Sequence, residues 1–175
     1  MTSPTELTTI GEHAKRDFEA GRHEAAADGF RRAARGYSDL GDQVNEAEQK
    51  NNLSVTLLQL RRPEQALEEA AGTDGIFAGA GDRKRQGMAL NNQAAALQEL
   101  RREKEALAAY EGAALLLGEA GESQMRAMAL KAAAAIHLRR GRMTAAGLNM
   151  LGALGSTTTP TLLERALRWL LSLSR

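Results

Sequence analysis

Cysteine is absent from the 175-residue chain, so disulfide frameworks, thiolate nucleophiles and Cys-ligated zinc are excluded. β-Branched aliphatic residues are nearly absent: Val44 and Val55 are the two valines, and Ile10, Ile76 and Ile136 the three isoleucines. That is too few to build a sheet. Charge of one sign is missing as well, since 23 Lys and Arg face 22 Asp and Glu for a formal net charge of +1. The balance argues against a nucleic-acid binder relying on bulk positive charge, and against a charged disordered tail. Long apolar runs are lacking too. The longest uncharged stretch, 143–163, holds Asn149, Thr157 and Pro160 and makes a poor bilayer span. The first fifteen residues carry Glu6, Glu12 and His13 in place of the apolar core of a leader peptide. No membrane span is therefore expected, and the lack of Cys fits a reducing, cytoplasmic setting.

What the chain does have is Ala and Leu, which carry most of an apolar content of 43%, together with Arg, Glu and Gln. All are good helix formers, so the expected fold class is all-α. At 18.8 kDa the length suits one domain, here taken as 1–175. The excess of Arg over Lys amid abundant Ala points to a GC-rich bacterial source.

Laid on itself at a shift of 40, the sequence shows several matching columns. Ala26, Ala66, Ala106 and Ala146 align, as do Arg22, Arg62, Arg102 and Arg142. Ala14, Ser54, Ala94 and Ala134 form a column of small residues, and Asn51-Asn52 recurs as Asn91-Asn92. Gly41-Asp42, Gly81-Asp82 and Gly121-Glu122 fall at the ends of units. Each unit reads as two antiparallel helices with i, i+3, i+4 apolar stripes. The spacing predicts helices over 4–20, 23–40, 43–60, 63–79, 83–100, 103–120, 123–140 and 142–154. Ser3-Pro4-Thr5-Glu6 predicts a capping box at the front, and Pro63 suits the first turn of a second helix. The small columns would let the two helices of a unit approach closely. A unit of this kind cannot bury its apolar face alone, so it stacks on its neighbours.

The pattern resembles the tetratricopeptide repeat. That family places a small residue in the first helix, Gly or a polar residue at the turn, then an Ala, a large residue and a second Ala in the second helix. Unit one supplies Ala14, Gly21, Ala26, Phe30 and Ala33; unit three supplies Ala94, Arg101, Ala106, Tyr110 and Ala113. Unit four supplies Ala134, Gly141, Ala146, Met150 and Ala153, while unit two departs with Ala70 and Thr73. The period of 40 is similar to the long subtype of kinesin light chains and bacterial signalling proteins, and Asn51-Asn52-Leu53-Ser54 is close to its Asn-Asn-Leu-Ala signature. The resemblance implies a right-handed α-solenoid of four hairpins, 5–42, 43–82, 83–122 and 123–155, closed by a helix over about 160–173.

It also implies a concave groove lined by the first helices and a non-catalytic adaptor or scaffold that binds a peptide or helix of a partner protein there. The groove residues are then Asn51, Asn52, Val55 and Gln59 from unit two, and Met88, Asn91, Asn92, Ala95 and Glu99 from unit three. Met128, Lys131, Ala135 and Arg139 would follow from unit four, with Glu12, Lys15, Glu19 and Glu48 at the other end. An Asn amide offers both a donor and an acceptor, so stacked Asn52 and Asn92 could clasp an extended backbone without reading its side chains. The carboxylate clamp of chaperone-tail binders would need cations and amides where this chain has Gly11, Lys15, Asn52, Met88 and Asn92. Only Asn52 fits, which argues against that partner.

Enzyme chemistry finds no footing. His13, His23 and His137 stand far apart in sequence, outside any H-E-x-x-H arrangement, and no G-x-S-x-G is present. Neither a metal nor a cofactor is expected. The segment after Pro160 carries apolar residues on most sides, Leu163, Leu167, Trp169 and Leu170 among them. An apolar arc wider than ~100° exceeds what one neighbour covers. The alternative reading is therefore self-assembly, a homodimer contact through those residues. The arginine pairs Arg61-Arg62 and Arg101-Arg102, with Arg139-Arg140, read as solvated turn residues facing helix C-termini.

Overall fold

The computed structural model describes residues 3–155. Nine helices follow one another there: α1 (Pro4–Glu19), α2 (His23–Asp39), α3 (Gln43–Gln59), α4 (Pro63–Ala70) and α5 (Thr73–Gly79), then α6 (Arg83–Glu99), α7 (Glu103–Glu119), α8 (Ser123–Arg139) and α9 (Met143–Gly155). No strand occurs among the described residues, as the scarcity of β-branched residues dictates.

Local chemistry sets the ends of these helices. Ser3 Oγ accepts the Glu6 backbone N–H at 3.3 Å, and Glu6 Oε2 accepts the Ser3 N–H at 2.7 Å, so the capping box forms with Pro4 in the first turn. The turns between long helices share one closure. The Arg22 N–H reaches the Asp17 carbonyl at 2.8 Å, and the same step recurs from Asp42 to Tyr37 at 2.9 Å and from Glu122 to Leu117 at 2.8 Å. This is the Schellman pattern, and it needs a left-handed residue just before the donor. Gly21, Gly41, Gly81, Gly121 and Gly141 supply it, and at two turns Arg61 and Arg101 do so at φ 59°.

The helices pair as α1 with α2, α3 with α4 and α5, α6 with α7, and α8 with α9, and each hairpin stacks on the next. The small-residue columns lie at these crossings: Ala14, Ala26, Ala94, Ala106, Ala134 and Ala146 are all buried. Ser54, the odd member of its column, is 0% exposed and donates its hydroxyl to the Ala66 carbonyl at 2.7 Å. A hydroxyl thus substitutes for a methyl at the crossing by finding a carbonyl on the facing helix. The larger side chains Leu53, Leu57, Phe30, Tyr110 and Leu117 fill the space between hairpins.

One element departs from the expectation. The second helix of unit two, expected to run unbroken over 63–79, is interrupted at Ala71 and Gly72, where Gly72 turns left-handed at φ 75°. The surroundings of the break differ from those in the other units. Ala70 stands where Phe30 and Tyr110 supply rings in units one and three, and the long amide of Gln93 reaches into that region. Gln93 Nε2 donates to the Ala70 carbonyl at 3.0 Å and to Asp74 Oδ1 at 2.8 Å, while Thr73 Oγ1 donates to the same carbonyl at 2.7 Å. The break frees a backbone carbonyl in the interior, and these donors satisfy it. The phase survives, because Phe77 is buried in the position that Tyr37 and Leu117 take in the neighbouring units.

Candidate functional site

The first helices of the hairpins bring their polar positions to one face, and charge organises its N-terminal half. Lys15 Nζ on α1 lies 3.0 Å from Glu12 Oε1 and 3.9 Å from Glu48 Oε1 on α3. The other oxygen of Glu48 lies 3.2 Å from Arg85 Nη1 on α6. Arg85 also holds Asp82 Oδ2 at 2.6 Å and sits 5.1 Å over the Phe77 ring. An ion chain therefore ties three successive units together across this face. The Arg85 backbone N–H and then its side chain hold the Asp82 carboxyl below the usual range, and the Asp82 hydrogen bond raises Arg85 in return. Lys15 and Glu48 were expected here from the sequence. Arg85 was not, because its reach to Glu48 depends on how the units stack.

The asparagines divide into different roles. Asn51 is 8% exposed and donates Nδ2 to the Ala47 carbonyl at 3.0 Å. Its Oδ1 accepts Asn92 Nδ2 at 3.2 Å, so that pair bridges units two and three. Asn52 is half-buried, and its Nδ2 is shielded from solvent with no hydrogen-bond partner among the described residues. Asn91, Val55 and Ala95 are half-buried, and Gln59, Glu99 and Ala135 exposed. In the C-terminal half the face turns apolar and open, with Met88 37% and Met128 68% exposed. Lys131 is exposed beside them. Arg139 pairs with Glu103 at 3.1 Å.

A cavity of about 440 Å³ opens where the C-terminal ends of α3 and α6 meet the start of α4. It gathers Gln59, Ala95 and Glu99, all expected in the groove, and adds Leu58, Arg61, Pro63 and Gln98. The signal for Arg61 was in the sequence: it replaces the glycine of units one and four.

The three histidines do not form one cluster. His23 packs against Phe18 with ring centroids 5.3 Å apart and planes tilted by 59°, His137 is buried with Nε2 3.4 Å from Glu111 Oε1, and His13 is exposed. Among the described residues no group of three or more acidic or histidine side chains could hold a metal ion, and no helix is long and apolar enough to cross a membrane. Leu163, Leu167, Trp169 and Leu170, expected as a homodimer contact, lie outside the described residues, as does the closing helix over 160–173.

No protein-family model and no curated protein sequence matches the chain. Solved structures do. BtubC (BKLC) from P. vanneervenii superposes with a TM-score of 0.77 at 17% identity over 95% of this chain, which spans 65% of that protein. A Podosopora anserina protein of kinesin light chain type, with nearly identical TPR-like repeats, gives 0.76 at 15% identity, covering 96% of this chain and 84% of that one. A point-substituted form of the Podosopora anserina protein gives 0.70 at 13% identity, covering 99% and 94%. The fold is a tetratricopeptide-like solenoid. Stacked repeats of this kind present an extended surface along the array.

Proposed function

We propose that this tetratricopeptide-like chain is a non-catalytic adaptor, one repeat domain that holds an extended segment or a helix of a partner protein on its first-helix face. Asn52 carries the reading. A shielded amide donor without a partner among the described residues is a costly thing to keep, and rotation of this half-buried side chain onto a ligand carbonyl laid along the face would satisfy it. Exposed Met88 and Met128 add adaptable apolar surface further along, of the kind that accommodates varied side chains. The absence of Cys and the Arg- and Ala-rich composition support a cytoplasmic, bacterial setting for it.

Peptides selected from a displayed random library against the wild-type chain test this. Asn52→Ala should weaken the selected peptides roughly two- to thirteenfold, the equivalent of one hydrogen bond of ~0.5–1.5 kcal/mol, with a thermal midpoint equal to or above the wild type's because the unpaired donor is gone. Asn92→Ala should behave differently and also lower stability, by ~1–3 kcal/mol, because it leaves the buried Asn51 Oδ1 unpaired. Peptides that bind Asn52→Ala and Met128→Glu as tightly as the wild type would overturn the reading.

A further inference from the structure

The two edges of the repeat array follow different rules. Where a second helix hands over to the next first helix, glycine takes the left-handed position and an acid stands at the N-cap. Gly41 and Gly81 do so at φ 69° and 72°, and Asp42 and Asp82 accept backbone N–H groups at 3.1 and 2.8 Å. Both choices are the ones helix ends favour. The opposite edge, where each first helix turns into its second, departs on both counts. Arg22, Arg62 and Arg102 occupy N-caps without any side-chain capping bond. Arg61 and Arg101 adopt φ 59° at the position that Gly21 and Gly141 fill in the outer units. An L-residue there crowds its Cβ against the following carbonyl, and a cation at a helix N-terminus faces the positive end of the dipole. Folded chains are locally consistent on the whole, and departures gather where a residue serves something other than the fold.

The five arginines then separate. Arg22 pairs with Asp17, Arg62 with Glu24 and Arg102 with Glu105, so these three serve the fold. Arg61 and Arg101 are exposed, and neither guanidinium makes a hydrogen bond or an ion pair among the described residues. Arg61 also lines the cavity between α3 and α6, whose apolar walls come from Leu58, Pro63 and Ala95. Such a cavity takes a side chain. Glu99 on the same lining leaves the cavity itself to an uncharged side chain, and the net charge of +1 disfavours a run of phosphates along the edge.

We propose that this edge binds an acidic segment of a partner protein, with one apolar side chain in the α3–α6 cavity and flanking carboxylates on Arg61 and Arg101. A guanidinium fork matches a carboxylate with two parallel hydrogen bonds, which gives the strained arginines their use. The inference rests on the chain being a protein-binding module, but it employs side chains other than Asn52 and Met128.

The probe is a fluorescein-labelled peptide of Glu-Glu-Leu repeats, titrated by anisotropy against the full chain. The wild type should bind it with an affinity that falls as salt rises. Arg61→Gly/Arg101→Gly should weaken it by about tenfold or more, as expected for lost bonds to charged groups. The thermal midpoint of that variant should equal or exceed the wild type's, since glycine fills the same turn at Gly21 and Gly141. Asn52→Ala should leave this peptide's affinity unchanged, so failure of the groove reading does not touch this one. Four results would overturn it: no binding by the wild type at low salt, equal affinity in the double glycine variant, equal affinity for a Gln-Gln-Leu peptide, or tighter binding of an oligothymidylate of matched charge.

Discussion

Glycine to alanine at two helix-interior positions should move stability in opposite directions, and the sign is set by tertiary packing alone. Gly29 lies within α2, and a Cβ built there would stand 2.8 Å from Ala14 Cβ on α1. Carbon pairs are comfortable at about 3.5–4.0 Å, so α1 and α2 would have to part by roughly 1 Å. Overpacking of that kind costs about 1–3 kcal/mol. Alanine returns about 0.8–1.0 kcal/mol of helix propensity. The net change for Gly29→Ala then lies between near zero and a loss of about 2 kcal/mol, weighing both terms. Gly112 lies within α7, where a Cβ would meet only the tip of Leu90 at 3.4 Å, an ordinary contact. Gly112→Ala should therefore keep the whole propensity gain and raise the melting midpoint by about 2–4 °C, the shift expected for 1 kcal/mol in a chain of this size. Gly29→Ala should lower it, and adding Ala14→Gly should restore much of the loss by removing the methyl it meets. Thermal melts by circular dichroism decide the matter. If Gly29→Ala melts as high as Gly112→Ala, the close crossing of α1 and α2 does not exist and the account of the small-residue columns fails with it.

Asp82, held below the usual carboxyl range by the Arg85 backbone N–H and side chain, stabilises the fold above its unfolded value of about 3.9, and that contribution disappears as pH falls through the lower folded value. Asp82→Asn keeps a capping oxygen but loses the charge, so the wild type should be ahead by about 0.3–1 kcal/mol at pH 7 and level with the variant in strong acid, as read from denaturant midpoints at each pH; a gap that persists unchanged in strong acid would refute the assignment. For the alternative reading of the chain as a self-assembly module, analytical ultracentrifugation at micromolar concentration should show a dimer, and Trp169→Glu a folded monomer, because a charge in a dry interface is left unpaired. A wild type that is monomeric at every concentration would dispose of that alternative.

The repeat was legible in the sequence because its causes are local. Helix ends depend on residues within five of one another, so Gly-Asp steps, Pro63 and the capping box at Ser3 could be read directly, and the observed helices end close to where they were placed. The Ala columns were legible for a related reason: a 40-residue period with no gaps lets one crossing predict the others. The resemblance led us to expect Asn52, Gln59, Ala95 and Glu99 on one face without saying what each would touch. Those contacts join residues about one repeat apart, and only the stacking of units decides them. The sequence stacked Asn52 with Asn92, yet it is Asn51 that Asn92 bonds, while Asn52 keeps a donor unmatched among the described residues. The carbonyl freed at the Gly72 break is met by an amide from Gln93 on the next hairpin. Arg61 and Arg101 stand in a glycine's place along the chain, but only the folded chain shows that they keep its left-handed angle and leave their guanidinium groups unpaired among the described residues. A periodic sequence specifies its units and their phase through short-range sterics and hydrogen bonds, whereas the pairing of side chains between units depends on how closely the hairpins stack, which no single unit determines.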